Sequence, residues 1–103
     1  MLVLRQGDVL LVKSAIPEKA EMVKRERGVP IVLAFGETTG HSHKIAEPGV
    51  QVFEHEGTRW IRVPKKGAEL QHEEHGEVAL EAGDYSIVIQ KEYSPAELRN
   101  VRD

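Results

Sequence analysis

Turn signals punctuate this chain about every ten residues, and short apolar-rich runs lie between them. Glu47-Pro48-Gly49, Glu56-Gly57, Pro64-Lys65-Lys66-Gly67 and Ala82-Gly83-Asp84 are such signals. Between them the side chains alternate. Val50 and Val52 face one way and Phe53 and His55 the other; Thr58 to Val63 returns after Glu56-Gly57, which predicts a hairpin. Asp8 to Lys13 reads as a strand buried on both faces, and Ile31 to Phe35 as a second strand. His43 to Ala46, Ala68 to His72 and the run around Val78 and Leu80 read as shorter strands. Tyr85, Ile87 and Ile89 form the inner face of a last one. Seven to eight short strands in 103 residues predict an all-β domain, a single small barrel or sandwich spanning 1–103.

Two segments fall outside this pattern. Residues 14–30 carry a thin apolar stripe of Ala20, Met22 and Val23 among many charges. They read as a mobile charged excursion, with one or two helical turns between Pro17 and Gly28. Residues 94–103 read as a short terminal helix: Ser94 caps, Pro95 takes the first helical position and Glu97 closes a capping box.

Composition narrows the function classes. The chain has no cysteine, so disulfides and thiolate metal sites are excluded and any metal must be held by nitrogen and oxygen. A formal charge of -3 does not suit a dedicated nucleic-acid binder. No apolar run approaches a membrane span, and the start, Met1 to Arg5, is too short for a signal peptide. A cytoplasmic protein is the expectation.

The chemistry concentrates in histidine. Four of the five histidines stand in two clusters, His41-Ser42-His43 and His72-Glu73-Glu74-His75. Imidazole is the commonest metal-ligating side chain. On extended chain His41 and His43 share a face, because side chains alternate with period two. His72 and His75 share a face only on a helical turn; on a strand His72 shares one with Glu74. Their spacing does not fit a helical zinc-protease motif. Two imidazoles on one strand cannot complete a site, since zinc takes about four donors. The second cluster is the only other dense source of nitrogen ligands, so the two are expected to converge. The expected ligand is a divalent transition metal: zinc first, with iron, nickel or manganese as alternatives if a carboxylate coordinates. Glu73 and Glu74 are the candidates for a general base, a ligand or an acceptor orienting an imidazole. An open coordination position would admit a small-molecule ligand and make the chain a metalloenzyme. The opposing reading leaves both clusters as solvated loop tips.

His41-x-His43-x-x-x-Glu47 resembles the first motif of the cupin barrels, and Pro64 to Gly67 followed by His72 loosely resembles the second. That resemblance implies a metal held by His41, His43, Glu47 and His72. The Gly36-Glu37-x-x-Gly40-His41-Ser42-His43, His72 to His75 and Gly83-Asp84-Tyr85 stretches are also similar to those of certain small bacterial proteins, a resemblance that implies no function. Asp8 to Lys13, the loop after it and Val29 to Leu33 are similar to the ten-kilodalton co-chaperonin barrel, an analogy of fold only.

The rival constellation is Arg59-Trp60-Ile61-Arg62-Val63-Pro64-Lys65-Lys66, with four basic residues and the only tryptophan. Trp60 and Arg62 share a strand face, which suits base stacking and a phosphate contact. The alternative function is therefore a non-enzymatic interaction module, oligomeric or nucleic-acid-binding through Arg59 to Lys66. No nucleophile triad and no phosphate-binding glycine loop are present.

Overall fold

A computed structural model describes residues 2–35 and 41–90. The expected terminal helix at 94–103 and the Gly36 to Gly40 part of the histidine stretch lie outside the described residues. Within them there are ten strands and no helix. These are β1 (Val3–Gln6), β2 (Val9–Lys13), β3 (Glu21–Val23), β4 (Ile31–Phe35), β5 (Ser42–Ile45), β6 (Gln51–His55), β7 (Thr58–Val63), β8 (Ala68–Leu70), β9 (Val78–Leu80) and β10 (Gly83–Ile89). No described helix is long and apolar enough to cross a membrane.

Six strands form one antiparallel sheet in the order β1-β2-β10-β7-β6-β3. It ends on β1 and β3, so among the described residues no sheet closes into a barrel. The pairs β4-β5 and β8-β9 are separate two-stranded ladders. A bridge between Lys44 and Gln71 joins them, with both backbone N–H groups donating, at 2.9 and 2.8 Å.

Side-chain alternation decides where the core sits. Val9 and Leu11 of β2, Tyr85 and Ile87 of β10, Ile61 and Val63 of β7 and Val52 of β6 point to one face of the large sheet. Ile31, Leu33 and Ile45 of the β4-β5 pair cover them, as do Ala68, Leu70 and Leu80 of the β8-β9 pair. Burying a side chain the size of Ile45 or Leu70 contributes about 2–3 kcal/mol. Both are fully buried, and this apolar seam holds the two short ladders side by side.

Two expectations need correction. β2 is buried on one face only, because Leu10 and Val12 point to the outer side and are half-covered. The 14–30 excursion forms no helix. Its thin apolar stripe cannot hold one, and Glu21–Val23 instead pairs as an edge strand with β6. The Arg25 guanidinium anchors the segment by donating to the carbonyls of Glu47 and Val50, at 2.8 and 2.7 Å. One strand, β1, lies where the sequence pattern predicts none. It forms a hairpin with β2 through Gly7-Asp8, with Gln6 paired to Val9 and Gly7 at φ 59°, as in a turn that needs glycine first.

Candidate metal centre

The Lys44–Gln71 bridge sets the geometry of the histidines. In an antiparallel ladder the residues flanking a paired couple face each other, so His43 lies opposite His72 and Ile45 opposite Leu70. Side-chain alternation turns His43 to the same side as Ile45, and His72 to the same side as Leu70. The two imidazoles meet with ring centroids 4.4 Å apart. His41, two residues before His43, comes to 5.7 Å from His72. After His72 the chain bends through Glu73, Glu74 and His75. The bend carries the His75 ring to 4.5 Å from His72 and 5.8 Å from His43, where it stacks on the latter. Four imidazoles from two clusters thus form one group at the end of the core.

The surrounding acceptors give each ring a different role. His41 Nδ1 and Glu74 Oε1 are 2.9 Å apart. A carboxylate only accepts, so Nδ1 carries the proton. His72 is the reverse. Its Nδ1 accepts the backbone N–H groups of Glu74 and His75, at 3.0 and 3.3 Å. A neutral His72 therefore carries its proton on Nε2, and it ligates only if one of these arrangements gives way. His43 is buried and lies between two side chains, Gln6 and Asp8. Burial, then the neighbouring His72, pushes its pKa below the usual imidazole range; Asp8 opposes this and His75 adds to it.

Glu73 belongs to the same wall. Its Oε1 accepts from the Lys44 ammonium at 2.9 Å and its Oε2 from the Ser42 backbone N–H at 3.1 Å. These bonds, that to Lys44 first, hold its carboxyl at about 2. A carboxylate this weakly basic is poorly matched to proton abstraction near neutral pH. Glu73 thus latches the second cluster to β5, and Glu74 orients His41. Ligand atoms of His41, His72 and Glu73 all lie within 4.8 Å of one another, the one such triple among the described residues.

The structure does not bring Glu47 into the group. Its Oε2 accepts the Glu69 backbone N–H at 3.0 Å, and its charge is felt at Glu69. There the carboxyl is pushed up, chiefly by a hydrogen bond to Glu77. Pro48-Gly49 follows Glu47 at once, and β5 ends at Ile45, so the alternation that aims His43 does not extend to it. The cupin-like spacing therefore has no counterpart at Glu47. His55 lies at the far hairpin, 3.8 Å from Glu56.

The rival basic strand is also engaged elsewhere. Trp60 is buried. Arg62 shares its face, as the alternation predicts, but bonds both oxygens of Asp84, at 2.9 and 3.3 Å, and covers the Phe53 ring. Arg59 points to the opposite face and donates to the carbonyls of Val32 and Leu33. On that face the ring expected to stack a base is buried, and the guanidinium expected to meet a phosphate is paired with Asp84.

Sequence reasoning missed Gln6, Gly7 and Asp8. The signal was present: Gly-Asp between two apolar runs is a hairpin turn. That the turn packs under the histidines is a tertiary fact.

No curated protein and no solved structure matches the chain. A family model matches residues 5–90, which include the β1-β2 turn and both histidine clusters. By that match the chain belongs to the family described as Domain of unknown function (DUF8820).

Proposed function

We propose that this protein binds a divalent transition metal at the group formed by His41, His43, His72 and His75. One observation carries the reading: two clusters distant in sequence bring four imidazole rings within 4.4 to 5.8 Å of their neighbours. The His72 and His75 rings disfavour protonation of His43, and a metal ion satisfies several imidazoles at once. Nitrogen and oxygen donors without thiolates favour zinc, with iron, nickel or manganese as alternatives if a carboxylate joins. His41 is the ring best oriented by a carboxylate, and Glu73 is held ionised beside it. A metal with an open position would bind a small anionic or carbonyl ligand and polarise it.

Elemental analysis of untagged protein, followed by melting with and without added zinc, tests the reading. The expected result is bound metal, or a rise in melting temperature with zinc that His41→Ala and His43→Ala abolish. Protein without metal whose melting temperature ignores zinc would sink it.

A further inference from the structure

We infer that the β1-β2 turn is part of the metal centre: Asp8 supplies a carboxylate ligand beside His43 Nε2, and Gln6 fixes His43 so that this nitrogen faces it. The inference rests on the metal-binding reading above and names residues that neither histidine cluster contains.

Gln6 is one of few buried polar residues described. Its amide nitrogen donates to the carbonyls of Leu70 and Gly76, each at 2.9 Å. Two acceptors at one end fix which end is nitrogen, so Oε1 must be the atom 2.8 Å from His43 Nδ1. An amide oxygen only accepts. His43 Nδ1 therefore carries a proton, and in the neutral ring Nε2 bears a lone pair. This is the arrangement in which an outer hydrogen bond sets the tautomer of a ligating histidine. Gln6 is a positioning residue.

The Nε2 lone pair faces Asp8 Oδ1 at 3.2 Å. Two acceptors this close need a positive charge between them, either a proton that makes His43 an imidazolium paired with Asp8 or a metal ion in its place. The spacing is longer than a charge-assisted N–H···O bond, typically about 2.7–2.9 Å. It is near the roughly 3.4 Å that separates two donors each about 2.1 Å from a tetrahedral zinc. Among the described contacts the Asp8 carboxylate meets only this ring, whereas both oxygens of Glu73 are already bonded. Asp8 is about half exposed, which gives an ion a way in from solvent.

Gly7 completes the case. A Cβ there would lie 2.8 Å from His75 Nε2 and 3.2 Å from His43 Cε1. The turn is bare where two imidazoles approach it, and both rings lie against the segment that presents Asp8.

Two measurements test the assignment. Nitrogen–proton correlation spectra of the imidazoles in metal-free protein, at about pH 8 to keep the rings neutral, report the tautomer. The expected result is His43 protonated on Nδ1 and bare on Nε2; a proton on Nε2 would overturn the role of Gln6. Calorimetric titration with zinc then compares wild type with Asp8→Asn, which keeps a good turn residue at an exposed site. Affinity is expected to fall at least about tenfold, as losses at a ligand or its orienting partner do. Zinc binding that needs His43 but is unchanged in Asp8→Asn would overturn Asp8 as a ligand and leave the histidine centre standing. No zinc binding by wild type would remove both.

Discussion

Two tight hairpins in this molecule begin from the same local chemistry and end in different places. The β6-β7 turn, Glu56-Gly57, has both residues at positive φ, 49° and 81°. The β1-β2 turn, Gly7-Asp8, has its glycine at 59°. Each joins antiparallel strands through two residues, and each carries an acid beside a glycine. Around Gly57 nothing lies within 4 Å of where a side chain would start. Around Gly7 the rings of His75 and His43 fill that space. His55 stands at the first turn, 3.8 Å from Glu56; four histidines gather by the second. Turn chemistry thus makes a hairpin at either place. What packs on the turn makes one of them a candidate site.

The largest expected difference between the two ends is in metal-linked stability. With free zinc at a hundred times Kd, a site present only in the folded chain adds about 2.7 kcal/mol. His43→Ala is expected to lose that increment, while His55→Ala keeps it. Denaturant titrations with zinc and with chelator read both, and equal loss in the two variants would erase the contrast.

Backbone substitution sharpens it further. Gly57→Ala meets only the unfavourable φ, a cost of about 1 kcal/mol, and zinc affinity is expected to stay unchanged. Gly7→Ala meets the same φ and also the two rings, so its cost is expected to reach about 2–3 kcal/mol, with zinc affinity falling too. If both alanines cost the same and both leave zinc binding intact, the turn is not part of the site.

The smallest effect is expected from protons. In metal-free protein, burial and the His72 ring lower the His43 pKa below its ordinary 6.5, with His75 adding and Asp8 opposing. Below that value the unfolded chain takes up a proton that folded His43 refuses. The stability concerned is fully present above about pH 6.5 and is lost as pH falls towards the folded pKa. One proton limits the slope to about 1.4 kcal/mol per pH unit. Urea midpoints of wild type and His43→Ala, followed from neutral pH to pH 5 or so, are expected to converge. A wild type that grows more stable on acidification relative to the variant would reverse the sign.

Local pattern made much of this legible in advance. The β6-β7 hairpin follows from alternation on either side of Glu56-Gly57, and β4, β5, β8 and β10 follow from short apolar runs between turn signals. Period two predicts that His41 and His43 share a face, and both rings approach His72, although His41 precedes β5. At 14–30 the proline and glycine at the ends suit a helix, while the partner that makes Glu21–Val23 a strand is the edge of β6, far along the chain. Glu47 is a ligand only by the resemblance to the cupin motif, which rests on its spacing from His41 and His43. A spacing does not say where a strand stops, and β5 stops two residues short.

The amino-acid sequence by itself determined the β class, the positions of the turns, the exclusion of thiolate chemistry and the identity of the two histidine clusters. Those are local properties: side-chain alternation, backbone preference and donor type act within a few residues. Only the tertiary structure decided that the clusters meet, that Glu73 and Glu74 serve as latch and orienter, and that Gln6 and Asp8 lie against His43. Each depends on pairings such as Lys44 with Gln71 and Gln6 with the carbonyls of Leu70 and Gly76. Such pairings form between distant segments because burying Ile45 and Leu70 against the large sheet favours them, and no short window of sequence encodes that energy.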